Sequence, residues 1–359
     1  MSANIRQVGP SEGYLRALRA HGANPEKLYA ALGISMPSEV LDFSTNACAL
    51  PWPLEDTRSM DIAALASNYP DDECLELRRI VAAHEGLSME NVLFTNGSNE
   101  ALYLLASFFG GRRAAVLQPT YGEYARALRA FGAEAANVLS LEEADSAGFD
   151  LLILSNPCNP TGAYIPPREL ARFAEGNPGT TLAVDEAYAD FLLEERGEAM
   201  DVREHPNVVL LRSMTKSCHL SGARMGYALA DEGWTVRLAG RQPTWSVNAF
   251  AQALALAFLE DAGLSARLRA FYGAETPRFI AAVEAAGFRV RPTAVHYFLV
   301  DVEDDEAVLR GLMERGMVAR HTRNFPGLEG RCLRVATRVP DEDDRLAAAL
   351  SELREGGVC

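Results

Sequence analysis

The chain is poor in lysine: of its 34 basic residues only Lys27 and Lys216 are lysines, and the other 32 are arginines. It also lacks long apolar runs, since the longest, "AFAQALALAFL" from 249 to 259, is too short to span a bilayer. The opening residues, "MSANIRQVGPSEGYL", hold no apolar core of the kind a secretory signal needs. Six cysteines, at 48, 74, 158, 218, 332 and 359, never fall into CxxC or CxxH spacing. That removes the usual structural zinc patterns and reads as reduced thiols in a cytoplasmic protein with no metal site. Positive charge is in deficit as well. A formal net charge of −15 argues against nucleic acid and against an anionic membrane surface as partners. An acidic chain that binds a small anion has to gather a few arginines in one pocket. No fixed-period repeat and no low-complexity tract is present.

What is there describes a soluble globular protein, with 359 residues, 48% hydrophobic and 23% charged. That length suits two domains, or one large α/β domain with an appendage. From about residue 90 to 230, apolar runs ("NVLFT", "AAVLQ", "DLLILS", "TTLAV", "NVVLLRS") alternate with helical patterns. In "NGSNEALYLLASFFGG", Ala101, Leu104, Leu105 and Phe108 recur at helical spacing and Gly110 supplies a stop. Continuous apolar strands separated by helices predict an α/β fold with a mostly parallel central sheet flanked by helices. Ligands of such sheets bind beyond the carboxyl ends of the strands, where the polar motifs lie. Later, "FRVRPTAVHYFLVDVED", "DEAVLRGLMERG" and "RCLRVAT" read as a smaller α+β domain. The expected division is residues 1–45 as a segment joining the small domain, 46–250 as the large domain and 251–359 as the small one.

Each polar motif has two readings. Lys216 is either a solvated surface lysine or an amine that can lose its proton and attack a carbonyl, which arginine cannot do. "NGSNEA" is an ordinary helix start or a phosphate cradle. Asp185 in "DEAY" is a cap or a carboxylate for a protonated ring nitrogen. Asn159 in "NPCNPTG" belongs to a proline-rich turn or donates to a phenolate oxygen. Tyr121 in "PTYGEY" is core or a plate on which a flat ring stacks. Ser213 and Arg224, three before and eight after Lys216, are surface residues or phosphate ligands. The functional readings together describe a planar, phosphorylated, nitrogen-containing aldehyde on a lysine, which is pyridoxal 5′-phosphate (PLP).

The order Gly-Ser-Asn-Glu, Pro-Thr-Tyr, Asn-Pro-x-Asn-Pro-Thr-Gly, Asp-Glu-Ala-Tyr and Ser-x-x-Lys, with arginine eight later, resembles the class I/II aminotransferases, fold-type I PLP enzymes. Within them the chain is similar to the histidinol-phosphate aminotransferase group. "HGANPEKLYAALGI", "LDFSTN", "QPTWSVNAFAQ" and "RNFPGLEGRCLRVATR" also resemble threonine-phosphate decarboxylase. Three stretches depart from both groups: Ala47 and Cys48 replace an Asn-Pro, Cys218 and His219 replace apolar or aromatic residues, and His296 stands where asparagine is common. His219 and His296 read equally well as core histidines.

The resemblance implies a role for each site residue. Lys216 forms the Schiff base with PLP and shuttles the proton, Asp185 keeps the ring nitrogen protonated, and Tyr188 and Asn159 bond the ring oxygen. Ser98, Asn99, Ser213 and Arg224 hold the phosphate, Tyr121 stacks on the ring, and Tyr69 reaches over from the second subunit of a homodimer. Arg334 grips the substrate carboxylate, with Asn248, Arg323 and His21 as looser candidates for a distal phosphate or polar group. The expected activity is an aminotransferase acting on an amino acid or amino-phosphate. The alternatives are a decarboxylase of the O-phospho-threonine or O-phospho-serine type and a PLP-dependent lyase or cyclase of specialised metabolism. A cofactor-binding regulator without catalysis fits poorly, because the chain has no room for an extra DNA-binding domain.

Overall fold

The computed structural model describes residue 14 and residues 24–53, 60–195 and 199–358. The twelve strands it contains are β1 (Leu41–Asp42), β2 (Val92–Asn96), β3 (Arg113–Leu117), β4 (Glu134–Val138), β5 (Leu151–Ser155), β6 (Thr181–Asp185), β7 (Val208–Ser213), β8 (Met225–Ala230), β9 (Tyr297–Asp301), β10 (Met317–Val318), β11 (Arg320–His321) and β12 (Cys332–Ala336). The central sheet has seven strands in the order β2-β8-β7-β6-β5-β3-β4. Every residue of β5, β6 and β7 is buried, as strands covered on both faces by helices must be. The helix Pro167–Gly176 supplies one such cover: proline opens it, where a missing N–H costs nothing, and Leu170, Phe173 and Ala174 face the sheet.

Neighbouring pairs from β3 through β7 are parallel, but β8 runs antiparallel to both β2 and β7. The α/β prediction therefore holds, with one strand reversed. That reversal matters for the site. β6 and β7 end at one edge of the sheet, at Asp185 and Ser213, and β8 begins at the same edge, directly after Arg224.

The smaller sheet is antiparallel, in the order β11-β12-β9. Beside it β1 pairs in parallel with β10, Leu41 opposite Met317. Tyr29, Leu32, Leu41 and Phe43 are buried in one core with Phe279, Phe298, Leu312 and Leu350, so the early residues pack with the C-terminal part of the chain. Among the described residues no single helix is long and apolar enough to cross a membrane.

Candidate active site

A cavity of about 210 Å³ opens at the carboxyl edge of the large sheet. Ser98, Asn99, Tyr121, Asn159, Asp185, Tyr188, Ser213, Lys216 and Arg224, scattered over more than a hundred residues of sequence, all line it. Lys216 lies on the short helix Met214–Ser217 that follows β7. Its neighbours Thr215 and Ser217 are buried while Lys216 is only half-buried, so the amine has the cavity as its outlet.

One wall is built for an anion. Gly97 at φ +74° turns the chain from β2 into the helix Ser98–Ala106, whose first N–H groups lack intrahelical partners. A Cβ at Gly97 would meet the Arg224 guanidinium at 2.7 Å, and one at Gly226 would meet the Ser98 nitrogen at 2.3 Å. Only glycine lets the backbone and Arg224 close in this far. Ser213 adds a hydroxyl, held 2.7 Å from the Thr215 hydroxyl.

The floor is Asp185. Its carboxylate is buried, accepting from the Tyr124 hydroxyl at 2.7 Å and from the Ala187 amide at 2.9 Å. Burial pushes its pKa up to about 6, although both hydrogen bonds pull it back. A buried carboxylate at the base of a cavity is a ready partner for a cationic ring nitrogen, so this donor set fits PLP. The raised value has a consequence for the cofactor-free protein. The carboxyl group supports folding below its unfolded pKa of about 4, and that support fades as pH rises through about 6. Asp185→Asn should therefore gain stability relative to wild type between those values, approaching about 3 kcal/mol at neutrality. Thermal unfolding of both cofactor-free proteins at about pH 4.5 and about pH 7.5 reads the difference. An unchanged gap would contradict the burial argument.

Asn159 joins this cavity to the smaller sheet, because its Oδ1 accepts from the buried Arg334 guanidinium of β12. That leaves the amide nitrogen as the donor end of a side chain that lines the cavity. Arg334 also donates to the Ser44 carbonyl, and among the described residues its Nε has no partner.

The remaining described candidates do not line this cavity. Asn248 does not line the cavity: it caps the helix Ala249–Leu259, accepting from Ala251 and donating to the Ala223 carbonyl, so both polar ends are used. Arg323 is committed to an ion pair with the buried Asp305, which also accepts from Tyr14. His21 lies outside the described residues. Tyr69 is 80% exposed and packs against Trp245 at a tilt of 34°, centroids 4.6 Å apart, and does not line the cavity of its own chain. Of the departures from the family pattern, Cys218 is buried, and His219 is half-buried with its ring edge against Trp52.

Two residues escaped sequence reading. Tyr124, three after Tyr121, looks like any aromatic on a helix, and only the fold brings it to Asp185. Arg320 is buried opposite Arg334 in the β11–β12 register. Burial and the Arg334 charge depress its pKa to about 9.

This geometry is that of a fold-type I PLP enzyme. The profile of the family described as Aminotransferase class I and II matches residues 39–350, and the chain belongs to that family, whose cofactor is PLP. Relatives include a threonine-phosphate decarboxylase of Salmonella typhimurium, 32% identical over 356 residues and covering 94% of this chain and 97% of its own. A histidinol-phosphate aminotransferase of Desulfitobacterium hafniense is 31% identical over 333 residues, covering 86% and 90%. Among solved structures, L-threonine-O-3-phosphate decarboxylase from Porphyromonas gingivalis superposes with a TM-score of 0.80 at 26% identity, over 88% of this chain and 100% of that one.

Proposed function

We propose that the chain is an aminotransferase acting on an amino acid or amino-phosphate. The observation that carries this reading is the bond from Arg334 to Asn159. A carboxylate held by Arg334 would be tied through Asn159 to the wall of the cavity that Lys216 also lines, so the grip would present the substrate α-carbon to that amine. PLP, when bound, supplies an electron sink next to the substrate α-carbon. The chain does the rest. Asp185 holds the proton on the ring nitrogen, and Tyr188 and the Asn159 amide donate to the ring oxygen. The helix start at Ser98 and Asn99, with Ser213 and Arg224, binds the phosphate, and Tyr121 covers the ring. Lys216, opening into the same cavity, would hold the cofactor and be the amine that takes up and returns the substrate α-proton.

Arg320 favours a second reading. Arg320, which also donates to Asn324 Oδ1 at 3.0 Å, and Arg334 are buried at paired positions of β11 and β12, and two guanidiniums so placed suit one doubly charged phosphate. An amino-phosphate held by both would leave its α-carboxylate without the Arg334 grip, and decarboxylation of an O-phospho-threonine or O-phospho-serine type substrate would be the reaction favoured. Single-turnover mixing of holoenzyme with amino acids and amino-phosphates separates the two. Pyridoxamine phosphate and a keto acid are the expected products. Carbon dioxide, an amine and unchanged PLP would overturn transamination in favour of decarboxylation.

The working unit we propose is a cytoplasmic homodimer. Tyr69, Leu65, Leu77 and Leu256 line an apolar groove, and Ile62 and Leu75 are exposed near it in sequence. A second copy covering this face would let Tyr69 reach the neighbouring cofactor phosphate. Sedimentation at assay concentration should give a dimer, and an active monomer there would rule the arrangement out.

A further inference from the structure

The strap from Ser44 to Cys48 touches both halves of the chemistry at every second residue. The Ser44 carbonyl accepts from Arg334. The Asn46 carbonyl lies 3.1 Å from His296 Nε2. The Cys48 amide donates to the Lys216 carbonyl at 3.0 Å. His296 is therefore the middle tie between the arginine and the lysine. We propose that His296 is a positioning residue, whose imidazole fixes the strap and so holds Arg334 and Lys216 in one frame. This rests on the PLP-dependent reading of the site.

The tautomer follows from the partner. A carbonyl only accepts, so Nε2 carries the hydrogen and Nδ1 is a bare lone pair. Burial, together with the Arg334 and Lys216 charges, pushes the histidine pKa down to about 3, so the ring stays neutral at working pH. The ring has little freedom to turn. It lies 3.8 Å from the Phe191 ring and 4.9 Å from the Tyr272 ring, centroid to centroid, and its own carbonyl accepts from the Thr337 amide at 2.7 Å. A residue serving only to fill this space would be apolar. Instead, among the described residues, His296 Nδ1 and both amide atoms of Asn46 are buried without hydrogen-bond partners, an arrangement that packing alone disfavours.

Two substitutions test the tie. His296→Phe keeps an aromatic ring in the stack and removes the donor, whereas His296→Asn keeps a donor for the Asn46 carbonyl. In the phenylalanine variant PLP should still bind and be fixed to Lys216 by borohydride. Its kcat/KM should fall by between about tenfold and a hundredfold, with kcat carrying part of the loss. The midpoint of the holoenzyme's absorbance change with pH should move by about half a unit or more. His296→Asn should restore most of both. A phenylalanine variant that matches wild type in rate and in spectral midpoint would overturn the proposal, as would an asparagine variant no better than phenylalanine. Nitrogen-15 spectra of cofactor-free wild type give a readout that needs no variant. A neutral ring protonated at Nε2 from about pH 5 to about pH 8 is expected, and a cation or an Nδ1–H form overturns the proposal. Wild type that fails to take up PLP would instead strike the underlying reading.

Discussion

Lys216→Ala should lose essentially all turnover, a fall of roughly 10⁴-fold or more, because both the covalent attachment and the proton carrier disappear with one side chain. The variant should still hold some PLP, since Ser98, Asn99, Ser213 and Arg224 are untouched. Borohydride treatment of PLP-loaded wild type should leave the cofactor attached to Lys216 and not to Lys27, which is exposed on the helix Pro25–Leu32. With only two lysines in the chain, a single peptide digest reads the outcome. Label on Lys27, or none in saturated protein, would remove the central assignment.

The parts of this site that were legible in sequence are those fixed by short-range order. A buried strand ends, a polar residue follows, and a parallel sheet delivers each such end to one edge. Asp185 and Ser213 meet for that reason, as does Lys216 just beyond Ser213. The direction of β8 was not legible, because an apolar run of six residues reads the same in either sense. Yet that reversal brings Arg224 to the phosphate wall. Arg320 depends on cross-strand register, which the pattern of a two-residue strand cannot carry. Asn248 and Arg323 are placed near the substrate by family likeness alone; in the fold Asn248 is held by its own helix start and by the Ala223 carbonyl, and Arg323 by Asp305.

The ties to Arg334 link the two sheets. The arginine sits on β12 of the smaller sheet, its guanidinium is bonded to Asn159 just beyond β5 of the central sheet, and it also holds the Ser44 carbonyl. On the proposed reading, in which Arg334 grips the substrate carboxylate, a movement of the smaller sheet would shift that grip relative to Lys216 unless the strap moved too.

Asp185→Asn should cost about 3–5 kcal/mol of barrier, a loss of roughly a hundredfold to several thousandfold in kcat. The substitution keeps the shape of the side chain. Its oxygen can still accept from the Ala187 amide, and the Tyr124 hydroxyl can turn to accept from the new amide nitrogen, so the floor stays packed. What is lost is the negative charge that keeps the ring nitrogen protonated, and with it the pull on electrons released at Cα. Tyr124→Phe provides the contrast. It removes one hydrogen bond that lowers the Asp185 pKa but leaves the carboxylate, and should cost about 1 kcal/mol, less than tenfold. Steady-state kinetics of both variants, each checked for bound PLP, give the comparison. If Asp185→Asn turned over at near the wild-type rate, the buried carboxylate would be a structural element of the strand end, and the ring nitrogen would need another partner.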